Sequence, residues 1–243
     1  MTTNIESSQN SIYKQLLSLT RSKGIKEHSM ALVSGEKLTH EISQLTQVPL
    51  FWIHTEKMNP GPHFSSRKNI VLASELFKTL DVCGTNQPLL CVQTPKLRSF
   101  DRLHPNQATL YVALSDPNNL GALIRTCAAF SWPQIVLLKE SAHPFLPKAL
   151  RASSGTALAA SLFTGPSIHD LIDVEIVALD GQGQALQKSD IKPHLKILIG
   201  EEGKGVPQNF PGKKIKIPIS NKVESLNATI AASLIVYEWS QKS

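Results

Sequence analysis

Apolar residues in this chain come in short runs, each closed by a polar or glycine-containing segment. Met30 to Val33, Leu50 to Ile53, Ile70 to Leu72 and Leu89 to Val92 read as strands in the first part. Thr109 to Leu114, Ile135 to Leu138, Val174 to Leu179, Ile197 to Ile199 and Ile215 to Ile219 continue the series. Between them, helical spacing links Ile12, Leu16 and Leu19, then Leu38, Ile42 and Leu45. It recurs through Ala122, Ile124, Cys127 and Ala129, and through Leu226, Ile230, Ala231, Leu234 and Tyr237. Strands alternating with helices predict an α/β protein, with a βαβ unit running from Thr109 to Leu138. Polar residues 1–10 read as a flexible tail, and Thr20 to Lys26 as a basic connection. Pro88, Pro95 and Pro105 bracket a polar stretch, 96–107, that reads as a linker between a small unit, 11–95, and a larger one, 108–243.

The pattern is sharpest from Leu195 to Trp239. The run Ile197-Leu198-Ile199 stops at Gly200-Glu201-Glu202-Gly203-Lys204-Gly205, and a polar segment from Ser220 to Ser225 separates the next strand from the last helix. Two strand ends and one helix start therefore converge, where open α/β sheets place ligands. A phosphate-cradling loop would need Lys-Ser or Lys-Thr after Gly205, but Val206-Pro207 stand there. A dinucleotide fingerprint beginning at Gly203 would need glycine at Gln208, and one beginning at Gly181 would need it at Leu186. Both nucleotide loops are thereby set aside, which disfavours a small-molecule nucleotide enzyme. The bland reading of the glycines is a tight strand-to-loop turn.

Composition narrows the class. With 41% apolar and 18% charged residues, the chain can bury a globular core. The formal charge of +6 fits an acidic partner such as nucleic acid, and the surplus is greater in 1–105, with 12 basic against 8 acidic residues. Arg21, Lys23, Lys26 and Lys37 flank the first strand and could meet phosphates, a solvated surface being the default alternative. Cys83, Cys91 and Cys127 have no metal or redox spacing, so reduced thiols, a cytoplasmic location and no metal centre are expected. No apolar run is long enough to suggest a membrane span or an export signal.

Three ordered segments carry a resemblance. Asp116-Pro117-Asn118-Asn119-Leu120-Gly121-Ala122-Leu123-Ile124-Arg125, Leu198-Ile199-Gly200-Glu201-Glu202-Gly203-Lys204-Gly205, and Ile217-Pro218-Ile219 through Glu224-Ser225-Leu226-Asn227 resemble the motifs of the SpoU/TrmH family of RNA ribose 2'-O-methyltransferases. Arg151-Ala152-Ser153-Ser154-Gly155 is similar to a further family segment. Residues 31–41 resemble the L30e-like substrate-binding domain at the N-terminus of many members.

The resemblance implies a C-terminal parallel-sheet domain with a trefoil knot, a smaller N-terminal α/β L30e-like domain, and a homodimer. It implies S-adenosylmethionine held by Leu179, Gly200, Ile217, Ile219 and Leu226, with Asn119, Arg125, Glu202, Ser225 and Asn227 as catalytic positions. Arg125 is expected on a phosphate beside the target ribose, because a guanidinium matches phosphate bidentately. Glu202 would order the knot or pair with Arg125. Arg21, Lys23, Lys26, Lys37, Arg125 and Arg151 are the expected RNA contacts. The extra domain favours ribosomal RNA over transfer RNA, by analogy. A non-catalytic RNA-binding protein with the same fold is the competing class. Glu201, Ser131 and Asn221 depart from the usual residues of relatives.

Overall fold

A computed structural model describes residues 2–43, 49–58, 68–102 and 104–242, so the expected helical position Leu45 lies outside the described residues. The chain forms two compact units. The first comprises Met1–Lys96 and His143–Leu158, and the second Leu97–Ala142 and Ala159–Ser243.

The first unit is a five-stranded sheet. Its strands are β1 (Thr2–Ile5), β2 (Met30–Val33), β3 (Pro49–His54), β4 (Lys68–Leu72) and β5 (Leu89–Gln93), in the order β1-β4-β3-β5-β2. β1, β4 and β3 run parallel, whereas β5 pairs antiparallel with β3 and β2. Helices α1 (Ser11–Ser18), α2 (Ser22–His28), α3 (Glu36–Ser43) and α4 (Ser74–Leu80) complete the early chain. Tyr13, Leu16 and Leu19 from α1 and its end join Leu32, Ile53, Ile70, Leu72 and Phe77 in one buried cluster.

Two expectations fail here. The polar start is no tail: Thr2–Ile5 is an edge strand in register with β4, and Ile5 is the side chain that it buries. An edge strand needs one partner and one buried face, so its sequence can stay polar enough to read as solvated. Thr20 to Lys26 is largely helix α2. A Cβ on Gly24 would fall 2.3 Å from the Ser18 carbonyl oxygen, so glycine there permits the close packing of this helix on the end of α1.

Residues 143–158, expected in the second domain, segregate with the first unit. Helix α6 (Pro147–Ala152) packs against β2, and the Arg151 guanidinium donates to the Cys83 carbonyl at 2.9 Å.

The second unit is a seven-stranded, wholly parallel sheet. Its strands are β6 (Arg98–Ser99), β7 (Thr109–Val112), β8 (Gln134–Leu137), β9 (Leu162–Thr164), β10 (Val177–Ala185), β11 (Lys196–Ile199) and β12 (Lys214–Lys216). The order is β12-β10-β11-β7-β8-β9-β6. The expected linker is therefore partly sheet, since Arg98–Ser99 pairs with β9 and is followed by a 3-10 turn, Phe100–Arg102. β7, β8 and most of β11 are buried, the near-continuous apolar character that a covered parallel sheet demands.

Helix α5 (Pro117–Ala129) starts on an Asp116 cap that accepts from the Asn118 and Asn119 amides at 2.6 and 3.2 Å, with Pro117 at the first helical position. Helix α7 (Ala228–Ser240) starts likewise on Asn227, which accepts from the Thr229 and Ile230 amides at 2.9 and 3.2 Å. α5 and α7 pack together. α7 buries Thr229, Ala232, Ile235, Val236 and Trp239. Ile230, Leu234 and Tyr237, the stripe visible in the sequence, are 55%, 43% and 45% exposed, so α7 is apolar on both faces.

Candidate functional site

In the second unit's sheet the chain leaves β7 toward β8 on one side, while its other neighbour is β11. Their carboxyl ends form the switch point at which an open parallel sheet leaves a crevice. Ser115 and Asp116 follow β7, and Gly200 to Gly205 follow β11.

Glu202 links the two ends. It accepts from the Ser115 hydroxyl at 2.7 Å, the Asp116 amide at 2.9 Å and the Asn119 side-chain amide at 2.6 Å. Partial burial opposes ionisation of this carboxyl. The three donors outweigh burial and hold the group below the usual carboxylate range.

The loop that carries Glu202 is closed by its own backbone. The Glu201 amide donates to the Gly205 carbonyl at 2.9 Å and the Gly205 amide donates back at 2.8 Å. Gly203 and Gly205 have φ of +82° and +71°, and a Cβ on Gly200 would lie 2.4 Å from the Gly205 carbonyl carbon. Each glycine thus has a separate steric reason.

Beside this loop β10 is interrupted. Leu179 and Gln184 both face Ile215 of β12, so Asp180 to Gly183 bulge out of the ladder. A Cβ on Gly183 would lie 2.6 Å from the Ile215 nitrogen, which marks a close backbone passage.

The bulge, the Gly200 loop and the segment after β12 enclose a cavity of about 430 Å³, within the roughly 300–1,000 Å³ range of small-molecule sites. Leu179, Gly200, Ile217, Ile219 and Leu226, the five cofactor positions expected from the resemblance, all line it, as does Ser225. Asp180 and Glu201 line it as well.

The remaining candidates stand apart from the cavity wall. The Asn119 side-chain amide donates to Glu202, and its backbone carbonyl accepts from the Thr229 hydroxyl at 3.2 Å. The Asn227 side chain approaches Asn119 at 3.5 Å, so Glu202, Asn119 and Asn227 tie the starts of α5 and α7 to the loop.

Arg125 is exposed on α5. Glu202 bonds to the α5 start instead of pairing with Arg125, and among the described residues Arg125 is in no ion pair shown by the structure. Of the expected RNA contacts in the first unit, Arg21, Lys23 and Lys26 are exposed along α2, while Lys37 lies 3.9 Å from Glu41 on α3. Arg151 spends one donor on Cys83, as described above.

Ser115 and Thr229 escaped the sequence reading. The position of Ser115 directly after a strand was a usable signal, whereas the packing of Thr229 against α5 was not visible locally. The three departures have different consequences. Ser131 has φ +55°, the backbone glycine would adopt without strain, whereas Asn221 is not among the positive-φ residues. Glu201 places a carboxylate in the cavity wall.

Among the described residues no group of His, Cys, Asp and Glu could hold a metal ion, and no helix is long and apolar enough to cross a membrane. Cys91 and Cys127 are buried, and burial pushes both thiols up to about 12.

Comparison with known proteins adds an independent line. A family model described as the SpoU rRNA Methylase family matches residues 108–237. A Syntrophobacter fumaroxidans protein named ribosomal RNA small subunit methyltransferase G 2 is 39% identical over 246 residues, covering 98% of this chain and 49% of that protein. The chain thus spans about half the length of that relative, whose name describes the whole. A Synechocystis protein named uncharacterized tRNA/rRNA methyltransferase is 30% identical over 261 residues, covering 96% of this chain and 92% of the relative. Among solved structures, an AdoMet-bound rRNA methyltransferase from Sinorhizobium meliloti aligns with a TM-score of 0.74 at 22% identity, over 99% of this chain and 98% of that one. The SpoU methyltransferase AviRb from Streptomyces viridochromogenes, in complex with AdoMet, aligns with a TM-score of 0.75 at 21% identity, over 96% and 98%. Likeness at these identities establishes a shared fold.

Proposed function

The chain belongs to the SpoU rRNA Methylase family, and from that premise we propose that it transfers a methyl group from S-adenosylmethionine to a ribose 2'-hydroxyl of RNA, ribosomal RNA in preference to transfer RNA. The observation that carries this reading is the cavity at the sheet's switch point, walled by all five expected cofactor positions and bordered by the loop whose Glu202 holds Asn119. Its lining fits the cofactor. Apolar Leu179, Ile217, Ile219 and Leu226 suit an adenine and a thioether chain, and carboxylates in the wall suit a cationic centre.

When bound, S-adenosylmethionine supplies an electrophilic methyl: the carbon–oxygen bond forms as the carbon–sulfur bond breaks, its electron pair stays on sulfur, and the hydroxyl proton leaves. The protein's part is positioning. Arg125, exposed on α5, grips the phosphate beside the target ribose. Its guanidinium is a fixed cation with donors only, so it activates the hydroxyl electrostatically and the proton passes to phosphate or water. Asn119 and Asn227 orient this end of α5, Ser225 faces the cavity, and Glu202 holds the loop.

Arg21, Lys23, Lys26, Lys37 and Arg151 extend the RNA contact over the first unit. The reading includes a trefoil knot and a cytoplasmic location, both implied by the resemblance, and a homodimer, supported by the exposed Ile230, Leu234 and Tyr237.

The test is transfer of labelled methyl from S-adenosylmethionine to RNA from a strain lacking the gene, followed by nucleoside analysis. The expected product is a 2'-O-methylated nucleoside in ribosomal RNA, reduced at least about 100-fold by Arg125→Ala. Label confined to transfer RNA would overturn the substrate, and RNA binding without label would favour the non-catalytic class.

A further inference from the structure

Glu201 is the point at which the cavity differs most from an apolar slot. It is the first residue beyond Gly200 at the end of β11. The paired backbone hydrogen bonds with Gly205 fix its main chain, and the tight approach of Gly200 to Gly205 leaves that turn little freedom. Its side chain lines the cavity and is 18% exposed. One carboxylate oxygen lies 3.1 Å from the Lys204 ammonium, whose side chain is 79% exposed. Solvent screens so exposed a partner, leaving much of the carboxylate's field directed into the cavity.

The other charges in the wall do not cancel it. Asp180 is engaged by Lys214 at 3.5 Å and by the Gln182 amide at 2.9 Å, and Glu224 adds a further negative charge. Among the described residues Lys216 is the one cation in the lining, beside the carboxylates of Asp180, Glu201 and Glu224. Lys204 and Lys214 pair with Glu201 and Asp180 from outside the lining, and the Glu201 main chain is fixed by its two hydrogen bonds to Gly205.

A methyl transferase of the proposed kind must bind a cationic donor and release its neutral product. S-adenosylmethionine carries a sulfonium. S-adenosylhomocysteine has the same adenosyl and amino-acid parts with a neutral thioether. A nearby fixed negative charge interacts with that difference and with little else between them.

We propose that Glu201 is a specificity-determining residue that makes this site favour the sulfonium donor over the thioether product, which lessens product inhibition. The proposal rests on the methyltransferase reading above. It concerns binding selectivity, since the carboxylate takes no part in bond making.

The test is calorimetric titration of the full chain with S-adenosylmethionine, with S-adenosylhomocysteine, and with an analogue carrying a protonated amine in place of the sulfonium. Glu201→Gln should weaken both cationic ligands about 5–10-fold and change the thioether's affinity less than about twofold, a scale set by one partly screened charge at short range. Glu201→Asp, which keeps the charge on a shorter arm, should recover part of the selectivity. Thermal melting of each variant without ligand checks the fold.

Equal weakening of all three ligands by Glu201→Gln would mean that the residue only shapes the loop, and would overturn the proposal. Unchanged affinity for the cationic ligands would overturn it too. Failure of the unaltered chain to bind any of the three would instead overturn the cofactor reading, and this inference with it.

Discussion

Replacing Glu202 by Gln tests whether one carboxylate joins the ends of β7 and β11. The wild-type group accepts three hydrogen bonds at 2.6–2.9 Å, from Asn119, Ser115 and the Asp116 amide. Fully buried charge-assisted bonds contribute about 1.5–3 kcal/mol each. One side of this group is open to water, and the amide keeps one acceptor. The expected net loss is therefore about 2 kcal/mol at pH 7, or roughly 4–8 °C in melting temperature for a unit of this size.

The pH dependence has a definite sign. The folded-state pKa of Glu202 lies below the ordinary 4.5, so its stabilisation is present above that value and is lost as pH falls through the folded value. Glutamine does not titrate, so the gap between wild type and variant should narrow from pH 7 to pH 3.5. Urea denaturation followed by tryptophan fluorescence reads it, because Trp132 and Trp239 pack against each other in this unit, tilted by 57° with ring centroids 4.8 Å apart. A gap that stays constant across pH, or one below about 0.5 kcal/mol at pH 7, would refute the bridge.

Ser131→Gly should stabilise the protein by about 1 kcal/mol, measured as the shift in denaturation midpoint, because it removes a left-handed backbone strain at φ +55°. Gly200→Ala should abolish calorimetric binding of S-adenosylmethionine and cost at least about 2 kcal/mol, since its Cβ would sit 2.4 Å from backbone that cannot easily yield. His143 is 8% exposed, and burial with a lesser contribution from the Lys26 charge pushes its pKa down to about 4. The unfolded chain therefore takes up that proton first, and stability falls between pH 6.5 and 4 by on the order of 2–3 kcal/mol. His143→Phe should flatten that slope in denaturation midpoints across pH. If the proposed homodimer forms through the exposed face of α7, Leu234→Glu should shift sedimentation velocity from dimer to monomer.

The sequence determined the local elements wherever one residue's neighbours along the chain were enough. Thr109–Val112 and Lys196–Ile199 are legible because a strand covered on both faces must be apolar throughout. The bodies of α5 and α7 are legible from their helical spacing, whereas their starts, capped by Asp116 and Asn227, fall at Pro117 and Ala228 and were not read from the sequence. The cavity candidates were legible by resemblance, as residues that end strands or follow them.

Tertiary structure decided what depends on partners distant in sequence. Thr2–Ile5 is a strand only because β4 lies beside it, and residues 143–158 join the first unit because α6 packs against β2. Which face of α7 is buried was settled by α5, since both faces are apolar and periodicity cannot rank them. The choice of Asn119 over Arg125 as a Glu202 partner is of the same kind. A carboxylate 83 residues away along the chain meets whichever donor the end of β7 brings within hydrogen-bond reach, and there that donor is Asn119.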